Sequence, residues 1–180
     1  MARRARPDVS LTGKLCLSCG LCCNGVLFKD VELQSTDDPI RLEASGLALQ
    51  RSPAKTRVPQ PCDALCADLS CRIYARRPSR CAEFECHLLQ ETAAGRLALE
   101  QALQVVRQAG RRADRVRRLL EQLESEPRPH EPLSVRFRRL QRRLEAAPPD
   151  GKAVEVYADL TLAMQDLNFL LSQSFHRDRA

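Results

Sequence analysis

Cys16-Leu17-Ser18-Cys19-Gly20-Leu21-Cys22-Cys23 is the stretch on which the reading of this chain turns. A second group follows downstream: Cys62-Asp63-Ala64-Leu65-Cys66-Ala67-Asp68-Leu69-Ser70-Cys71-Arg72-Ile73-Tyr74-Ala75-Arg76-Arg77-Pro78-Ser79-Arg80-Cys81-Ala82-Glu83-Phe84-Glu85-Cys86. Together they hold all 9 cysteines of a chain of 180 residues, and none occurs from His87 onward. Such crowding has two ordinary causes, a disulfide scaffold or a metal site. The count is odd, which suits disulfides poorly. Residues 1–14 are basic with no apolar run behind them, so no secretory signal is expected. No apolar stretch approaches the ~20 residues that span a membrane. The expected location is therefore the cytoplasm, where thiols stay reduced and a dense cysteine pattern points to metal.

The chemistry agrees. A Cys-x-x-Cys turn brings two thiolates to one ion, and four close a tetrahedral zinc site or hold an iron–sulfur cluster. The adjacent Cys22 and Cys23 add a constraint, because neighbouring side chains diverge. The pair is explained most easily if each serves a different metal, or if one bridges two. Four thiolates around a divalent ion leave net negative charge, which favours nearby cations and N–H donors. Arg72, Arg76, Arg77 and Arg80 surround Cys71 and Cys81. Tyr74 and Phe84 are read as packing that shields the sulfurs. His87 follows Cys86 and is a weaker ligand candidate; His130 and His176 fall outside the groups.

The order of these residues resembles the CxxCxxCC cysteine-cluster family (YkgJ-type proteins), a zinc- or iron-chelating domain. The resemblance rests on Cys16-x-x-Cys19-x-x-Cys22-Cys23, a following Cys62, and Cys71-x-Ile73-Tyr74-x-x-Arg77-Pro78-x-x-Cys81-x-x-Phe84-x-Cys86. It implies metal ligation by Cys16, Cys19, Cys22, Cys23, Cys62, Cys71, Cys81 and Cys86. It singles out Arg77 as the cation facing the bound group. Cys66 lies off the pattern. Ala82 stands where the family usually has arginine, and Arg80 lies close by. The implied cofactor is zinc or iron, the latter including an iron–sulfur cluster. Flagellin lysine N-methylases carry a similar cysteine domain, so a redox or protein-lysine methyl-transferring enzyme is one rival reading. A metal-stabilised protein-interaction module is the other. No glycine-rich dinucleotide loop is present, and whether the chain is an enzyme stays open at this stage.

Outward from the cysteines, Val26–Phe28 and Val31–Leu33 are expected as short strands. Ser35 or Thr36 with Asp37, Asp38 and Pro39 marks a helix start, and the helix should end near Gly46. The proline-bearing stretch 51–61 is expected as loop. From Leu97 to Glu124, apolar residues at 99, 102, 106, 109, 113, 116, 120 and 123 alternate steps of three and four, a seam along one helix. Gly110 interrupts it. Leu133, Phe137, Leu140 and Leu144 mark a shorter helix. Pro148 to Gly151 form a turn, with Asp150 as an N-cap. The last helix carries Ala153, Tyr157, Leu160, Met164, Leu167 and Leu171 on one face.

Charge is uneven. Residues 96–143 hold 13 basic side chains against 6 acidic, and residues 144–180 hold 3 against 6. The long and last helices each need a partner for an apolar stripe, and their charges are opposite. They are expected to pair antiparallel. Phe137 is the one aromatic in the basic stretch, so nucleic acid is not the expected partner. An unidentified protein partner remains possible, and no membrane association is expected. The expected architecture is mostly α with a small α+β component. Residues 1–14 form a disordered lead, 15–90 a metal-organised cysteine domain, and 91–180 a helical hairpin or three-helix bundle.

Overall fold

The computed structural model describes residues 11–176. It is mostly helical, with one small sheet inside the cysteine region, and so has the expected architecture. The elements in order are α1 (Leu11–Leu17), β1 (Asp30–Glu32), α2 (Pro39–Ala44), β2 (Gln50–Arg51), β3 (Thr56–Pro59), α3 (Ser79–Glu83), α4 (His87–Ala93), α5 (Leu99–Leu123), α6 (Leu133–Ala146) and α7 (Lys152–Ser174). A short 3-10 turn at Tyr74–Arg76 precedes α3. No helix among the described residues is long and apolar enough to cross a membrane.

Local chemistry explains most of these boundaries. Asp38 caps α2 by accepting from the Arg41 amide at 3.1 Å, and Pro39 occupies the first helical position. Gly46 ends that helix at φ +88°, a left-handed conformation costly for other residues. At the head of α5, Gln101 Oε1 accepts from the Ala98 amide at 3.1 Å, half of a capping box.

The apolar seam read from the sequence is the face that α5 buries. Ala102, Val106, Ala109, Ala113, Val116 and Leu120 are all inside. From α7 they meet Leu160, Ala163, Met164, Leu167 and Leu171. The two helices run antiparallel: Val106 shares a cavity wall with Phe175, while Arg112 pairs with Asp166 at 2.9 Å. Helix α6 packs on α5 through Leu133 and Leu140. The same core takes in Leu15 and Leu21 from around α1 and Leu88 and Leu89 from α4. The cysteine region is thus fastened to the helices rather than strung beside them.

A second, smaller core of Leu42, Leu47, Val58, Ala64 and Ile73 lies under the sheet. The strand order is β1-β3-β2, all antiparallel, with Val31 opposite Val58 and Arg51 opposite Thr56.

Four local expectations are corrected. Val26–Phe28 is not a strand: Asn24 Oδ1 accepts from the Val26 amide at 3.2 Å and Gly25 sits at φ +77°, so the chain turns there. The stretch 51–61 is not all loop, because it supplies β3, the central strand. Pro59 closes the strand, paired to Asp30 of β1 and beyond the reach of β2. Asp150 is not the N-cap of α7; Gly151 is, with φ +50° and no side-chain cap. The lead expected over 1–14 gives way to α1 at Leu11, and residues 1–10 lie outside the described residues.

Candidate metal centre

Four short segments bring the cysteines together. Helix α1 and the turn after it carry Cys16, Cys19, Cys22 and Cys23. The Cys19 amide reaches the Cys16 carbonyl at 3.3 Å and the Cys23 amide reaches Gly20 at 2.9 Å, so the backbone curls tightly. Gly20 is held at φ +63°, where an added Cβ would meet Leu69 at 3.1 Å. The loop after β3 is tied to this curl directly: the Cys62 amide donates to the Cys23 carbonyl at 2.7 Å. Cys71 is brought back by a bridge to Leu65. Cys81 lies in α3, and Cys86 sits at the head of α4.

Asp37 fixes α3 against the first loop. Its Oδ1 accepts from the Ser79 amide and hydroxyl, both at 2.8 Å, and its Oδ2 accepts from the Gln34 amide at 2.8 Å. Despite the desolvation it suffers, these bonds hold the Asp37 carboxyl below the usual carboxylate range.

Arg77 is the cation that the sequence singled out, and it lies against the thiols. Its Nε donates to the Cys81 carbonyl at 3.1 Å and its Nη1 to the Tyr74 carbonyl at 2.5 Å. The guanidinium stands 3.8 Å from the centre of the Tyr74 ring. Its charge favours the thiolates of Cys16 and Cys81, and Arg72 favours that of Cys62. Phe84 meets Phe28 edge-on, with ring centres 5.0 Å apart.

All nine cysteines are unbridged. Cys16 is exposed and the others are half-buried. Desolvation pushes the thiols of Cys19, Cys23 and Cys81 up to about 12, and nearby thiols add to the effect. Cys16, Cys22, Cys62 and Cys86 are raised for the same leading reason. The amides of Leu21, Ala64, Leu88 and Leu89 oppose it by favouring the charged forms of Cys19, Cys62 and Cys86. Besides a cavity of about 50 Å³ that Cys16, Cys19, Cys22, Cys23 and Cys71 share with Leu69 and Tyr74, two further cavities adjoin the thiols. One, of about 30 Å³, is walled by Cys16, Cys19, Cys22 and Cys86 and otherwise by Leu15, Phe84, Leu88, Leu89, Val106 and Phe175. The other, of about 500 Å³, has Cys22, Cys23, Cys62, Cys71 and Cys81 on its wall with Gln60, Arg77 and Arg80. Cys66 lines none of the three. His87 instead faces Glu91, 3.9 Å away.

Among the described residues, no group of three or more His, Cys, Asp or Glu side chains sits close enough together to hold an ion as the chain stands. The donor chemistry fits a thiophilic ion all the same. Eight thiols from four segments converge, no lysine among the described residues lines either cavity, and backbone amides and Arg77 favour thiolate charge.

No curated protein and no solved structure matches the chain significantly. One family profile does match, over residues 15–104, and its description is "putative zinc- or iron-chelating domain". That span covers half of the chain and contains every cysteine, and the chain belongs to the CxxCxxCC family.

Proposed function

We propose that the protein binds zinc or iron in the cytoplasm through the thiolates of Cys16, Cys19, Cys22, Cys23, Cys62, Cys71, Cys81 and Cys86. The observation that carries this reading is the convergence of eight thiols, from segments far apart in sequence, on three adjoining cavities. A bound ion would neutralise thiolates that otherwise repel one another and would cross-link loops that have little regular structure of their own. Arg77 steadies the Tyr74–Cys81 segment and offsets thiolate charge. Anaerobic purification followed by metal analysis and a visible spectrum tests the proposal. Stoichiometric zinc in a colourless protein, or iron with a thiolate or iron–sulfur absorption, supports it. A metal-free protein with folded cysteine loops contradicts it.

The larger cavity favours a second reading, a metal-dependent enzyme of redox or methyl-transferring type. Its ~500 Å³ lies within the range of small-molecule sites. Gln60, which lines it, is 3% exposed, and its Oε1 has no hydrogen-bond partner among the described residues. A labile, coloured centre supports this reading; inert colourless sites support a structural module.

On either reading the basic helices serve packing rather than nucleic acid. Arg112 is spent on Asp166, and Arg136 and Arg139 on Glu124. Tight binding to duplex or single strand that falls steeply with salt would overturn this.

A further inference from the structure

We infer that the eight thiols divide into two four-thiol sites for thiophilic divalent cations: Cys16, Cys19, Cys22 and Cys86 take one ion, and Cys23, Cys62, Cys71 and Cys81 take the other. The inference rests on the chelation reading above and goes beyond it by naming which thiols act together.

Two cavities, the two hydrophobic cores and the backbone divide the cysteines in this way, while a third cavity of about 50 Å³, walled by Cys16, Cys19, Cys22, Cys23 and Cys71, lies across the seam between the sets. The small cavity is walled by the first four, and its remaining wall is apolar, so among the described residues those sulfurs are the only metal donors facing it. The large cavity is walled by the second four, with Cys22 at their boundary. The hydrophobic cores split likewise: Cys19 and Cys86 pack on the core built from α1, α4, α5 and α7, while Cys62 and Cys71 pack on the small core under the sheet. The backbone joins Cys62 to Cys23, not to Cys22, at 2.7 Å. Electrostatic neighbours agree for Cys19, Cys62, Cys81 and Cys86, each of which feels only thiols of its own set. Cys22 is influenced by Cys19, Cys86 and Cys16 as well as by its sequence neighbour, whereas Cys23 is influenced by Cys62, Cys81 and Cys71 and least by Cys16. Cys16 stands between the groups, near Cys71 as well as Cys19. It completes the first site because the second already has four donors.

The Cys22–Cys23 peptide is then the joint between two metal sites, each fastened to its own core. Adjacent side chains that diverge cannot easily serve one tetrahedral ion, but they suit two.

The test uses the full chain loaded with zinc. Native mass spectrometry should find two ions in the wild type and one in each of Cys22→Ser, Cys23→Ser, Cys81→Ser and Cys86→Ser. Combining Cys22→Ser with Cys86→Ser should still leave one ion, and combining Cys22→Ser with Cys81→Ser should leave none. Iodoacetamide should modify Cys23, Cys62 and Cys71 in Cys81→Ser and spare Cys16, Cys19, Cys22 and Cys86. Should a variant fail to fold, the wild type given one equivalent of zinc carries the same test. In its singly loaded molecules the Cys22-Cys23 peptide should be alkylated once, not twice and not zero times. Loss of both ions from any single variant, or protection that mixes the two sets, overturns the division while leaving chelation intact. A wild type that holds no zinc overturns the chelation reading itself.

Discussion

Arg136 and Glu124 form an ion pair inside the protein: Nη2 stands 2.7 Å from Oε2, with side chains 3% and 4% exposed. Glu124 is the C-cap of α5, and Arg136 lies on α6, so the pair fixes the turn between the two helices. Arg139 joins the same carboxylate at 3.0 Å, and Arg143 donates to the Leu123 carbonyl at the end of α5. Guanidinium groups at a helix C-terminus also complement its dipole.

Removing the shared carboxylate should therefore be costly. Glu124→Ala strands a buried guanidinium, and a loss of ~3–5 kcal/mol is expected in chemical denaturation. A change under ~1 kcal/mol would mean that water or another acid replaces Glu124.

The seam between α5 and α7 carries the stability of the helical part, and surface charge adds little. Leu120 is fully buried, so Leu120→Ala should cost ~2–5 kcal/mol. Arg117 pairs with Asp114 one turn away, at 2.6 Å, and remains partly exposed. Arg117→Ala should cost under ~0.5 kcal/mol. Equal costs at the two sites would contradict the division of labour described here.

Cys66 lines none of the three cavities, and its amide is spent on the Ser70 carbonyl at 2.8 Å. Cys66→Ser should leave metal content unchanged, whereas Cys71→Ser should lower it and loosen the loops over 60–90. Metal lost from the Cys66 variant would show that the second cysteine group is misaligned.

Metal-free protein should weaken in alkali. Desolvation holds the thiols of Cys19, Cys23 and Cys81 up at about 12, against an ordinary value of 9.0. The unfolded chain loses those protons first, so rising pH favours it. The stability owed to neutral thiols is whole below the ordinary value and disappears as pH climbs toward the raised ones. The Tm of chelator-treated protein should fall as pH rises from about 9 toward about 12, and fall less when metal is bound. A flat profile without metal would contradict the buried, mutually repelling arrangement.

Much of this was legible in the sequence because its causes are local. Ala102, Val106, Ala109, Ala113, Val116 and Leu120 announce a buried helical face by spacing alone, and Asp38-Pro39 announces a helix start. What escaped depends on partners distant along the chain. β3 is a strand because β1 and β2 flank it, and its terminal Pro59 argues the other way. Val26–Phe28 looks like strand until the Asn24 side chain turns it. The Glu124–Arg136 pair needs the angle between α5 and α6, which no periodicity reveals. Arg77 was singled out only through the family resemblance; Gln60 was not, because nothing in its neighbours marks it as buried. Which thiols stand together was equally hidden, since spacing alone does not fix cysteine connectivity.

The central claim is that the two cysteine groups form a metal centre of more than one ion. The most direct measurement is the native mass of the full chain purified anaerobically, set against its denatured mass. The account predicts a difference equal to at least two zinc or iron ions per chain. A single mononuclear ion, or no difference at all, would contradict it.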